Sequence, residues 1–157
     1  MKLNHDYVRD ILLYIEENLY YEDSQSATPN KHQEISDGQL LCDDYFKNHN
    51  KQELAYALEL LLQEGFIACA ERPYFVKGNL QMARIIGLTW SGHTLLDNIR
   101  NDTVWNAVKQ KSKRIGGVSI IALANAAGAL ANAMMTDPNA LNNFIQGINN
   151  VNNMIFH

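Results

Sequence analysis

The segment Lys51–Trp105, KQELAYALELLLQEGFIACAERPYFVKGNLQMARIIGLTWSGHTLLDNIRNDTVW, constrains the chain more than any other stretch. Leu54, Leu58 and Leu61, with Ala57 and Leu62 beside them, recur at the i, i+4, i+7 spacing that lines one face of a helix. Gly65 follows Glu64 where a left-handed residue ends such a helix and a Cβ would clash. Phe66 and Ile67 then begin a strand, Pro73 and Gly78 punctuate a long tip, and Ala83–Leu88 returns as the second strand of a hairpin. Thr89 N-caps a further helix by accepting from an amide of its first turn. Gly92, in that turn, lets the helix sit close to the hairpin backbone. Its plainer reading is a weak helix residue, costing about 1 kcal/mol against alanine. Helix, hairpin, helix is the order in which a winged-helix domain ends.

Upstream, Asn4 caps a first helix and Asp6 favours its positive end. Val8, Ile11, Leu12, Ile15 and Leu19 form its buried stripe, and Tyr7, Tyr14, Tyr20 and Tyr21 flank it as core and rim. Residues 22–34 are polar, carry Pro29 and read as a loop of a length uncommon in compact domains. Ile35 opens a short strand, Gln39–Phe46 a short helix, and Lys47-Asn48-His49-Asn50 turns into the leucine-rich helix. The fold class is mostly α (α+β): a winged helix-turn-helix domain over residues 1–114, then a C-terminal helical pair over 115–157.

Three blocks of the chain resemble one family. They are LTWSGHTLLDNIRNDTVW at 88–105, LNHDYVRDILLYIEENL at 3–19 and LAYALELLLQEGFI at 54–67. The family is a small group of uncharacterised bacterial and phage proteins, catalogued as a domain of unknown function, similar to winged-helix proteins and often carried on prophages and mobile elements. The resemblance covers roughly the first 110 residues. It implies a fold and a genomic setting, brings no catalytic residues, and says little about the chain after Lys113.

The tail departs in composition. Lys109, Lys111, Lys113 and Arg114 form a dense basic cluster, and from Ile115 to Phe156 the sole formally charged side chain is Asp137. Asp137-Pro138 fits an N-cap followed by proline at the first helical position, which joins two helices. In the second, Leu141, Phe144, Ile145, Ile148, Val151 and Ile155 recur at helical spacing opposite Asn139, Asn142, Asn143, Asn149, Asn150 and Asn153. In the first, Ala122/Ala126, Ala124/Gly128 and Ala129/Ala133 are pairs of small residues that permit close helix approach. Ile115–Met135 as one helix would extend about 32 Å, enough to span a bilayer. Asn125 and Asn132 within it bring the insertion energy near neutral, so packing between helices is the favoured use.

Catalysis finds little support. His5, His32, His49, His93 and His157 are scattered, and none forms a recognisable metal or nucleophile arrangement. His93 and Asp97 stand four apart and read as a surface pair. Gly116-Gly117 lacks the spacing of a phosphate loop. Cys42 and Cys69 read as buried free thiols, and the N-terminus lacks a signal-peptide apolar region, so the expectation is a cytoplasmic chain. No metal and no cofactor is implied. Nucleic-acid candidates are Lys47, Asn48, His49, Lys51, Gln52 and Tyr56 around the third helix, with Arg72 and Lys77 on the hairpin. Glu53, Glu59 and Glu64 share that helix, and the net charge is −4, which disfavours DNA.

The reading is a non-enzymatic winged-helix interaction protein of a phage or mobile element. Its homo-oligomer or protein-partner interface is Ala122, Ala126, Ala129, Leu130, Ala133, Leu141, Phe144, Ile148, Val151 and Ile155. One alternative is a DNA-binding transcription regulator that dimerises through the tail. The other is a membrane-active effector whose segment 115–135 inserts into a bilayer.

Overall fold

The computed structural model describes residues 1–19 and 32–155, with side chains as far as residue 150. The chain is α+β, mostly helical with a small antiparallel sheet, and divides into two compact units, Met1–Leu96 and Asp97–His157.

The first unit opens with α1 (His5–Asn18), capped by Asn4, whose side chain accepts from the Asp6 amide at 3.1 Å. Val8, Ile11, Leu12, Tyr14 and Ile15 form its buried face, and Leu19 is buried just beyond it. Tyr20, Tyr21 and most of the polar 22–34 segment lie outside the described residues. The two-residue strand β1 (Ile35–Ser36) runs directly into α2 (Asp37–Cys42). Ser36 and Gln39 close a capping box: the hydroxyl accepts from the Gln39 amide at 3.1 Å and Gln39 Oε1 accepts from the Ser36 amide at 2.8 Å. The helix expected over Gln39–Phe46 therefore starts earlier and breaks at Asp43. The Asp43 carboxylate accepts from the Tyr45 amide and begins a 3₁₀ turn, Asp44–Phe46.

The leucine helix is α3 (Lys51–Gln63), capped by Asn50 and buried through Leu54, Ala57, Leu58, Leu61 and Leu62. It packs on α1. Gly65 stands at φ 73°, the left-handed stop its position required. The expected two-stranded hairpin is more elaborate. Its two arms are β2 (Ile67–Cys69) and β5 (Arg84–Leu88), in an antiparallel sheet of order β1-β5-β2. Between them β3 (Tyr74–Val76) and β4 (Asn79–Met82) form a separate two-stranded sheet. Lys77 and Gly78 close its turn at φ 50° and 83°, the mirror-image geometry that matches strand twist.

Thr89 caps α4 (Trp90–Ile99) as its position demanded, its hydroxyl accepting from the Gly92 amide at 3.1 Å. The same hydroxyl donates to the Gly65 carbonyl at 2.7 Å, tying the start of α4 to the end of α3. A Cβ on Gly92 would lie 2.0 Å from the Phe66 carbonyl oxygen. Close approach, rather than indifference, explains that glycine.

The boundary between the units falls within α4. Asn101 caps α5 (Asp102–Arg114), accepting from the Val104 amide at 3.0 Å. Within the second unit, α5, α6 (Ile120–Thr136) and α7 (Ala140–Ile155) pack on one another. Helix α5 thus falls in the second unit. Its Val104, Trp105, Ala107 and Val108 are buried.

Segment 115–135 is not one helix. Gly116 and Gly117 stand at φ 90° and 91°, and α6 starts only after Ser119, which caps it through the Ala122 amide. Its 17 residues extend about 26 Å. No helix among the described residues is long and apolar enough to cross a membrane. At Asp137 the carboxylate accepts from the Asn139 amide at 2.8 Å, and α7 begins at Ala140.

Candidate interaction surfaces

Around α3, the turn that leads into the helix is held from inside the first unit. His49 Nε2 lies 2.8 Å from Asp10 Oδ2, and its ring packs against Tyr7 at 4.5 Å and Phe46 at 5.2 Å. His49 Nδ1 is buried with no hydrogen-bond partner among the described residues. His49, a phosphate-contact candidate in the sequence, is thus engaged inside the first unit by Asp10 on α1. Lys51 donates its ammonium to the Leu41 carbonyl. Lys47, Asn48 and Gln52 are exposed, Tyr56 is half-buried, and Arg72 and Lys77 are exposed at the base and at the tip of the β3–β4 hairpin.

The carboxylates of this unit do local structural work. Glu53 accepts from Asn4 at 3.1 Å, Glu59 from the Leu80 amide at 2.9 Å and Asp37 from the Ala83 amide at 2.9 Å. Asp43 Oδ2 accepts from the Tyr14 hydroxyl at 2.9 Å. Burial pushes the Tyr14 phenol up to about 12, and the Asp43 hydrogen bond and charge add to it. Tyr45 is raised as well, by burial first and then by Asp10 and Glu17. Arg84 on β5 binds Glu34 at 2.7 Å and Glu71 at 2.8 Å, and Glu34 foremost raises its pKa. Its charge is thereby matched before any ligand arrives. In sequence, Met1–Leu96 carries 14 acidic against 8 basic side chains, a balance that opposes a phosphate backbone.

The other chemically suggestive residues are likewise placed. His93 Nδ1 lies 3.8 Å from Glu16, and Asp97 accepts from Arg100 at 2.9 Å. Cys42 is exposed and Cys69 half-buried, against the expectation of two buried thiols; burial raises the Cys69 pKa. Cys42 ends a one-and-a-half-turn helix whose buried face is Leu40 alone. No cluster of three or more His, Cys, Asp or Glu fit to hold a metal occurs among the described residues.

In the second unit α6 has two faces. Leu123, Ala124, Ala127 and Leu130 are buried, whereas Ala122, Ala126, Ala129 and Ala133 are exposed. Those four recur at spacings of four, three and four, so they share one stripe, and Ile121 and Met135 are exposed on the same helix. Of the expected interface residues, Leu130 and Ile148 are instead buried within the chain, and Leu141 and Phe144 are half-buried. The side chains of Val151 and Ile155 lie outside the described residues. The Ala124/Gly128 pair serves an internal contact, since a Cβ on Gly128 would meet Asn98 Oδ1 at 2.6 Å. The basic cluster is also drawn inward. Lys109 lies over the Trp105 ring, Lys111 over Phe144 at 4.5 Å, and Arg114 donates to the Ile148 carbonyl.

Small α+β units with a capped helix after a hairpin, and a helical tail, are what these residues build. The chain belongs to the family described as Hypothetical protein (DUF2513), whose model matches residues 2–119. It is similar to an uncharacterized protein of Haemophilus influenzae, 36% identical over 137 residues, which cover 86% of this chain and 99% of that protein. The family match stops just before α6, but a stretch covering 86% of the chain reaches into α6 wherever it begins. No solved structure matches the chain.

Proposed function

We propose that this chain is a non-enzymatic interaction protein in which Met1–Leu96 is a winged helix and α6 carries the interface to a second copy. The winged-helix reading rests on element order: α1, β1, α2, α3, then the β2/β5 hairpin with its long insertion, and a sheet of order β1-β5-β2. The observation that carries the interface is the exposed stripe Ala122, Ala126, Ala129 and Ala133. A helix face meant for water ordinarily bears Lys, Glu or Arg. This one bears alanine, with Ile121 and Met135 also exposed on the helix, and small side chains let two backbones approach closely. DNA reading by α3 is disfavoured by the acidic balance of its unit and by the internal roles of His49, Lys51 and Arg84.

Light scattering on the full chain tests this. A dimer or larger is expected at tens of micromolar, corresponding to a Kd of about 10 µM or below. Ala126→Glu puts a charge in the stripe and is expected to give a monomer with unchanged circular dichroism. A monomeric wild-type chain at that concentration would remove self-association.

A further inference from the structure

The β3–β4 hairpin meets α3 at a chemically specific point. Gln52, Tyr56, Glu59 and Gln63 recur at spacings of four, three and four, so they share the face opposite Leu54, Leu58 and Leu61. The ends of that stripe, Gln52 and Gln63, are exposed, while Tyr56 and Glu59 in its middle are half-buried. There Glu59 Oε1 accepts from the backbone amide of Leu80 on β4 at 2.9 Å. Phe75 and Leu80 are cross-strand partners and both half-buried, whereas Tyr74, Val76 and Met82 are exposed. The hairpin therefore has a covered underside and an open top.

Two features make it separable from the rest of its unit. It is its own sheet, not continuous with β1-β5-β2. At its base, Asp37 brackets Ala83: the carboxylate accepts from the Ala83 amide at 2.9 Å and the Asp37 amide donates to the Ala83 carbonyl at 3.1 Å. Ala83 is thus a fixed point. Beyond it, among the described residues, the hydrogen bond that ties Tyr74–Met82 to another element is the one from Leu80 to Glu59.

We infer that the hairpin is a strap closed over the middle of the outer face of α3 by Glu59, and that it opens as a unit when that bond is lost. A hydrogen bond to a carboxylate is strong enough to govern such an opening, and segments with few anchors open well below the global unfolding free energy. When closed, the strap lies on the very stripe that a groove-reading helix would present. This goes beyond self-association through α6 and holds whether or not α6 has a partner.

Amide hydrogen exchange on the full chain, read by NMR, tests it. In Glu59→Ala the Leu80 amide and its hairpin neighbours are expected to exchange at least about tenfold faster, the effect of losing one charge-assisted hydrogen bond, with Ala83 unchanged. Glu59→Gln, which keeps an acceptor oxygen, is expected to stay near wild type. Unchanged Leu80 exchange in folded Glu59→Ala would overturn the inference, because packing of Phe75 and Leu80 would then suffice. Equal acceleration of Ala83 would overturn it too, since the hairpin would not open separately. Should Glu59→Ala fail to fold, Glu59→Asp keeps the charge and leaves Phe75 and Leu80 in place but withdraws the acceptor by one methylene. Faster exchange of the hairpin amides in that variant would support the strap, and unchanged exchange would exclude it.

Discussion

At Tyr14 a single proton links the middle of α1 to the turn after α2. Its phenol is buried, donates to Asp43 and is raised from 10.0 to about 12. Between those values the folded chain keeps a proton that the unfolded chain has lost, so stability falls as pH rises through that window. Denaturant midpoints measured from neutral pH into alkali should show this fall, and Tyr14→Phe should flatten it. At neutral pH the same substitution should cost about 1.5–3 kcal/mol for the lost charge-assisted bond. A pH profile unchanged by Tyr14→Phe would contradict the assignment. Residues such as Asn4 and Thr89 were legible in the sequence because a cap bonds to amides two or three positions away. His49 and Lys51 were not, because their partners, Asp10 and the Leu41 carbonyl, are set by how α1, α2 and α3 meet.

Two helical glycines separate kinds of close contact at the level of the element. A Cβ on Gly92 would run into the Phe66 carbonyl, a backbone group that cannot step aside. Gly92→Ala should therefore cost about 1–3 kcal/mol or more, against the roughly 1 kcal/mol that alanine ordinarily gains in a helix. A Cβ on Gly128 would meet only the end of the Asn98 side chain, which can rotate. Gly128→Ala should be within about 1 kcal/mol of wild type. Thermal melts of the two variants in the reverse order would refute both placements. Periodicity and punctuation made α1, α3, the β2/β5 arms and α4 readable. Strands β3 and β4 were hidden, since three or four residues are too few to show alternation. The Gly116-Gly117 break was in plain sight, but the apolar run after it, read as one span, outweighed it.

For the molecule as a whole, the second unit begins earlier than the change in composition after Arg114 suggested. Composition records which side chains are charged, whereas compactness records which faces meet, and the Trp105 face of α5 belongs with the tail. A chain truncated after Arg114 should consequently expose Trp105, with red-shifted emission and gain of an apolar dye. An emission maximum unchanged from wild type would show that α5 keeps its burial without α6 and α7. The two tryptophans, Trp90 at 88% exposure and Trp105 at 1%, fall in different units. The chain thereby carries its own pair of optical channels, one open to a collisional quencher such as acrylamide and one closed to it. With Trp90→Phe silencing the open channel, loss of structure in the second unit can be followed alone. Set beside exchange at Ala83 in the first, it measures without an attached dye how strongly the melting of one unit is coupled to that of the other.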